Sequence, residues 1–230
     1  MRVFWMIMFV MMFAVSPVMA VETDLDITID LGASSAYVWR GKVINDEAVI
    51  QPQVIMGANG FSFNVQGAWD LKHETNSSEN TRMDISAGYS MDLDLVRVKP
   101  GVTAYVYHDE SEGGLKDTFE TFVDIVFNLK NVNIVPSLTA YYDFGEAEGF
   151  YGLASIAHSI ELAGGRSAID MAVSVGAGDE KYGEYLFSYT AEETGREEDF
   201  IPEDSSLVDF KARMAIPIIF PEDGCELRRR

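Results

Sequence analysis

The 230-residue chain carries 17 Lys and Arg against 37 Asp and Glu, a formal net charge of −20, and 47% of its residues are hydrophobic. A chain this acidic repels nucleic acid, whose binding depends on Lys and Arg neutralising phosphates, so that class of partner is excluded. The sole cysteine, Cys225, excludes an intrachain disulfide.

The chain opens MRVFWMIMFVMMFAVSPVMA. Arg2 precedes an apolar run over 3–15, Pro17 breaks a helix there, and the small Ala20 follows Val18 and Met19. That is the layout of a secretory signal peptide over residues 1–20. The apolar stretch approaches spanning length, so a retained anchor is the competing reading. Pro17 and the polar ETDLD that follows favour cleavage. Position 21 is Val rather than Cys, which excludes a lipoprotein. No later run of about 18 apolar residues occurs. An exported chain this hydrophobic, with no helix to insert, must fold in the periplasm or close into a barrel.

From residue 26 onward the hydrophobic period is two. Over 117–129, Phe119, Val123, Ile125, Phe127 and Leu129 oppose Glu120, Asp124 and Asn128. Over 134–144, Ile134, Pro136, Leu138, Ala140, Tyr142 and Phe144 alternate with Ser137, Thr139, Tyr141 and Asp143, and the same rhythm runs through 169–178. Alternation of this kind predicts strands. Strand windows fall at 26–40, 49–58, 61–71, 81–91, 95–108, 117–129, 133–144, 150–162, 167–178, 184–190 and 206–219, eleven in all.

The turns between them alternate in length. Short ones lie at 59–60, 91–94, 130–132 and 164–165; longer polar ones lie at 42–48, 72–80, 109–116, 145–149 and 179–183. Short and long turns in alternation mark an up-and-down barrel with short periplasmic turns and longer outer loops. An internal repeat agrees: VRVKPGVTAY (96–105) matches VNIVPSLTAY (132–141) at an offset of 36 residues, which is two strands and their connections, and a further step reaches Ala68-Trp69. The expected fold is therefore all-β, an antiparallel up-and-down transmembrane β-barrel of about 10–12 strands over residues 21–219.

Within SSAYVWRG (34–41), this register puts Tyr37 and Trp39 on the lipid side, in an aromatic girdle at the headgroup level, with Trp69 at the end of a later strand. Arg40 points to the lumen or rim, and Gly41 begins a loop. The segment SSAYVWRG, then AVIQPQV, then NGFSFNVQGAW, resembles the start of the TorF-type porin family of Gram-negative outer membranes. The resemblance is carried by Ser35, Tyr37, Val38, Arg40 and Gly41, then Gln51, Pro52 and Gln53, then Gly60, Phe61 and Trp69, and covers roughly residues 33–70. It implies an outer-membrane barrel with a transport role and brings no catalytic residue with it.

The polar register gathers charged residues on the inside: Asp30, Arg40, Asp70, Arg82, Asp84, Arg97, Lys99, Glu120, Asp124, Asp143, Asp170, Lys211 and Arg213. Rings of carboxylate and guanidinium either plug a small barrel or tune the selectivity of a wider one, and both readings stand. His158, Ser159 and Glu161 suggest a lipid deacylase set, but adjacent strand residues point to opposite faces, so no catalytic residues are expected. The acidic loops headed by His73 and His108 lack the spacing of a dedicated Ca²⁺ site, and no metal or cofactor is expected.

The resulting expectation is a non-enzymatic outer-membrane channel with a mild cation preference, whose partners are outer-membrane lipid and small solutes or ions. The alternative is a closed structural or adhesive barrel without transport. An odd strand count and the irregular tail FPEDGCELRRR, with residues 220–230 where a final strand is due, raise the expectation that a twelfth strand has been lost. The competing reading takes 184–190 as loop and closes ten strands.

Overall fold

The structure, a computed structural model, describes residues 25–71, 82–107, 116–130, 132–162, 168–187 and 206–215. In chain order the strands are β1 (Asp26–Ser34), β2 (Tyr37–Trp39), β3 (Lys42–Asn45), β4 (Val49–Ala58), β5 (Phe61–Asp70), β6 (Arg82–Tyr89), β7 (Met91–Leu93), β8 (Val96–Tyr107), β9 (Thr118–Phe127), β10 (Ile134–Asp143), β11 (Phe150–Glu161), β12 (Ala168–Gly178) and β13 (Ser206–Ala215). One short helix, α1 (Glu180–Phe187), lies between β12 and β13. The fold is all-β, and no described helix is long and apolar enough to cross a membrane, which leaves crossing by strands open.

Eleven strands form one antiparallel sheet, with neighbours in the order β1-β4-β5-β6-β8-β9-β10-β11-β12-β13; β2 and β3 make a separate hairpin. β7 pairs β8 at 96–98 while β6 pairs it at 101–107, so β7 continues the line of β6 past Ser90. The path therefore has ten positions, each antiparallel to the next. Among the described residues β1 and β13 are each paired on one side only, and the sheet is not closed.

Local chemistry accounts for the tight turns at one end. Asn59 (φ 50°) and Gly60 (φ 84°) make a two-residue hairpin turn that needs left-handed backbone at both positions, which Asn and Gly tolerate best. A Cβ on Gly60 would also meet the Ser90 carbonyl oxygen at 3.0 Å. Pro100 and Pro136 sit in β8 and β10, and the repeated T-A-Y segments place Tyr105 and Tyr141 on the same face of the sheet as Asp84 and Glu120, pointing inward. The third step of the repeat falls out of phase: Ala68 pairs with Arg82 on the inside, and Trp69 turns outward.

The distribution of side chains is the reverse of a water-soluble sheet. Val123, Leu138, Ile156, Val173 and Val175 on the outer face are 39–50% exposed, while Glu120, Arg82 and Asp143 are buried at 0%, 2% and 0%. Residues of β5, β6 and β8 through β13 line one cavity, so the sheet curls with its polar face inward.

Several sequence expectations need correction. Within the window 184–190, residues 184–187 are helix rather than strand: residues 180–187 form α1, with Asp179 capping its first turn by accepting from the Tyr182 amide at 2.9 Å, and 188–190 lie outside the described residues. Tyr182, Tyr185 and Leu186 recur at helical spacing and are all buried, which is why this stretch coils rather than extends. Among the described residues the path has ten positions, along which β13 runs back toward the short-turn end instead of outward; residues 220–230, where a lost strand was expected, lie outside the described residues. Residues 42–45 and 91–93, expected as turn, are strands β3 and β7. The window 26–40 is broken at Ser35-Ala36, where the Ser34 hydroxyl donates to the Ala36 carbonyl at 2.8 Å. Segments 1–20, 72–80, 109–115 and 216–230, which hold the signal peptide, His73 and the tail, lie outside the described residues, as does His108.

Candidate functional site

The break after β1 changes the fate of SSAYVWRG. Arg40 (φ 48°) and Gly41 (φ 80°) form the tip of the β2–β3 hairpin, which tucks into the curled sheet at its long-connection end. Tyr37, expected in a lipid-facing girdle, is instead 8% exposed and packs with Val49 and Ala68. Trp39, expected beside it, turns inward against Tyr105, with ring centroids 5.1 Å apart. Trp69 does lie on the outer face, 48% exposed. Once the strand ends at Ser34, the period of two no longer carries over to residues 37–39, so their faces do not follow from β1.

At the hairpin tip the Arg40 guanidinium meets Glu120 of β9 end-on, Nη1 to Oε1 at 2.6 Å and Nη2 to Oε2 at 2.9 Å. Glu120 also accepts from the Tyr105 hydroxyl at 2.8 Å and from the Tyr182 hydroxyl of α1 at 2.8 Å. Four donors saturate a carboxylate that is wholly buried, the condition under which such a charge is tolerated inside a protein. The cationic face of Arg40 lies 4.3 Å from the ring centres of both Tyr141 and Tyr151. A second guanidinium, Arg82, is held side-on by Asp84 at 2.5 and 3.0 Å and stacks 3.9 Å above Trp39. Hairpin, helix and five strands thus converge on the buried Arg40–Glu120 pair and the partly buried Arg82–Asp84 pair, which bar the long-connection end. Burial pushes the Tyr185 hydroxyl of α1 well above the usual phenol range, so it stays a neutral donor to the Lys116 carbonyl.

Behind this bar lies a cavity of about 620 Å³. Its walls carry Asn64, Gln66, Ser86, Thr103, Thr139 and Ser174 as neutral polar groups, with Phe122 as an apolar patch. Lys99, Lys211, Asp124 and Asp209 add charge. Glycines on the inner face make room for long neighbours. A Cβ on Gly88 would meet Lys99 Cε at 2.8 Å, one on Gly101 would strike the Phe122 ring, and one on Gly176 would overlap the Tyr151 hydroxyl and the Asp209 carboxylate.

Of the charged residues read as inward-facing, the structure brings Arg40, Arg82, Asp84, Lys99, Glu120, Asp124 and Lys211 to the bar or the cavity. Asp143 is buried beside them but serves the 144–149 turn, accepting from Thr118 at 2.6 Å and from the Gly145 and Ala147 amides. Arg97 is apart, in an exposed pair with Asp92 on the β7–β8 extension. Asp170 accepts from Ser159 near the short-turn end, Asp70 sits at the end of β5, and Asp30 and Arg213 lie on the edge strands β1 and β13. Sequence reasoning missed Tyr105, Tyr141, Tyr151, Tyr182 and Asp209; the T-A-Y repeat was the available signal for the first two. His158 bonds the Asn133 carbonyl while Ser159 turns to Asp170, so the two do not meet.

These features define an antiparallel up-and-down β-sheet protein with a polar, barred interior and an apolar exterior. The chain belongs to the family described as "Bacterial protein of unknown function (Gcw_chp)", whose model matches residues 20–201. No curated protein and no solved structure matches the chain.

Proposed function

We propose that the protein is an outer-membrane β-barrel of a Gram-negative bacterium that passes small solutes or ions through a lumen narrowed by the β2–β3 hairpin. The observation that carries this reading is the inverted sheet: exposed Val, Ile and Leu outside, buried Arg, Glu and Asp inside. An apolar outer face suits hydrocarbon, and ionised groups are tolerated at that depth where they pair or meet water. Export by residues 1–20 and the resemblance of residues 33–70 to TorF-type porins support the same location.

Such a barrel needs its edges joined, because unpaired backbone groups are costly in lipid. With ten positions on the path, β1 and β13 run antiparallel, as closure requires. Their inner faces are complementary in charge, Asp26 and Asp30 on β1 against Lys211 and Arg213 on β13. Closure by this seam is part of the proposal. A mild cation preference follows from the acidic excess of the chain, since carboxylates near a mouth concentrate cations over about 10 Å at 0.1 M salt.

Planar-bilayer recording on the full chain tests the reading. Ohmic single-channel steps with a cation-selective reversal potential at low salt are expected. A silent bilayer favours the second reading, a closed structural barrel, for which the saturated Arg40–Glu120 bar speaks. Anion selectivity removes the cation preference alone.

A further inference from the structure

The cavity behind the bar keeps its opposite charges apart. Lys99 of β8 and Asp124 of β9 are register partners, directly across the strand pair, where an ion pair forms most readily. They do not join. The Lys99 stem leans over Gly88 of β6, and Asp124 turns the other way to accept from Thr139 of β10 at 2.8 Å. On β13 the same face carries Asp209, which accepts from Tyr151 at 3.3 Å across Gly176, and then Lys211. Among the described residues no hydrogen bond or ion pair engages Lys99 or Lys211. A half-buried ammonium left beside a carboxylate that is held away from it has capacity for a ligand oxygen.

We propose that this cavity is a binding site for a small zwitterion, a solute carrying a carboxylate and an ammonium group in the manner of an α-amino acid. Its carboxylate meets Lys99 and its ammonium meets Asp124, with Lys211 and Asp209 offering a second pair on β13. Arg40 and Asp84, which also line the cavity, are already neutralised by Glu120 and Arg82, so they do not tilt the site toward one charge. The volume is within the range of small-ligand cavities, and the surrounding amides and hydroxyls suit a polar solute.

The assignment rests on the channel reading for delivery of the solute, and the test separates the two. Swelling of liposomes holding the full chain is compared for alanine and for lactamide, an uncharged isomer of the same formula, against protein-free liposomes. Alanine is expected to enter several-fold faster than lactamide and with saturation. Lys99→Gln and Asp124→Asn each abolish that advantage, so that alanine then enters no faster than lactamide. Equal entry of the two solutes, or an alanine advantage that survives both variants, overturns the site while the channel stands. If neither enters above the control, the channel reading fails. Equilibrium dialysis of labelled alanine against the detergent-solubilised chain then decides the site, retention lost in Lys99→Gln upholding it and no retention overturning it.

Discussion

Glu120→Ala is expected to lower the stability of the folded chain by about 3–5 kcal/mol, the range for stripping one partner from a buried ion pair. The change leaves the Arg40 guanidinium without its two carboxylate bonds and the Tyr105 and Tyr182 hydroxyls without their acceptor. The loss arises chiefly from a stranded charge rather than from the bonds themselves. Adding Arg40→Met to Glu120→Leu therefore restores a large part of it, because an apolar pair of similar volume has no desolvation penalty. Urea unfolding of the refolded protein in detergent reads both variants. A double variant as unstable as Glu120→Ala would mean that the pair itself, not the unpaired cation, dominates.

Removing the hairpin is expected to widen the lumen. Ser34 and Val49 are register partners at the ends of β1 and β4, so an Asn-Gly turn can replace residues 35–48 without disturbing the ladder. Combined with Glu120→Gln, which avoids stranding a buried carboxylate, this deletion raises single-channel conductance several-fold, since the hairpin tip and Trp39 no longer occupy the cross-section. Unchanged conductance would show that the flow path does not run past the hairpin.

The strands were legible because one face had to be apolar and the other polar over their whole length. β8, β9, β10 and β12 fall within two residues of their expected windows at most ends. Register also followed: once alternation places Glu120 and Asp124 on one face, Phe119 and Val123 must take the other. What failed was continuity across short interruptions. Tyr37 and Trp39 read as a prolongation of β1, yet two residues, Ser35 and Ala36, free the segment to fold inward. α1 was hidden by Gly183, which reads as a turn, although Asp179 and the spacing of Tyr182, Tyr185 and Leu186 carry a helix start and an apolar stripe. The bar itself left no local trace. Arg40 and Glu120 are 80 positions apart, and only the curl of the sheet makes them neighbours. Lys99 and Asp124 were both read as inward-facing, but their divergence depends on Gly88 and Thr139, on the next strand to either side of the pair.

In the membrane the apolar face is expected to meet lipid and the polar face to meet water. Single fluorescent labels placed by cysteine substitution at Val123, Leu138 and Val173 on the outer face, and at Ser86 and Ser174 on the inner face, test it in lipid vesicles, with Cys225 replaced by Ser. Nitroxides carried on lipid tails are expected to quench the first three labels, and a small water-soluble quencher alone the last two. Water-soluble quenching of the outer labels, with no effect of lipid-borne nitroxide, would contradict it.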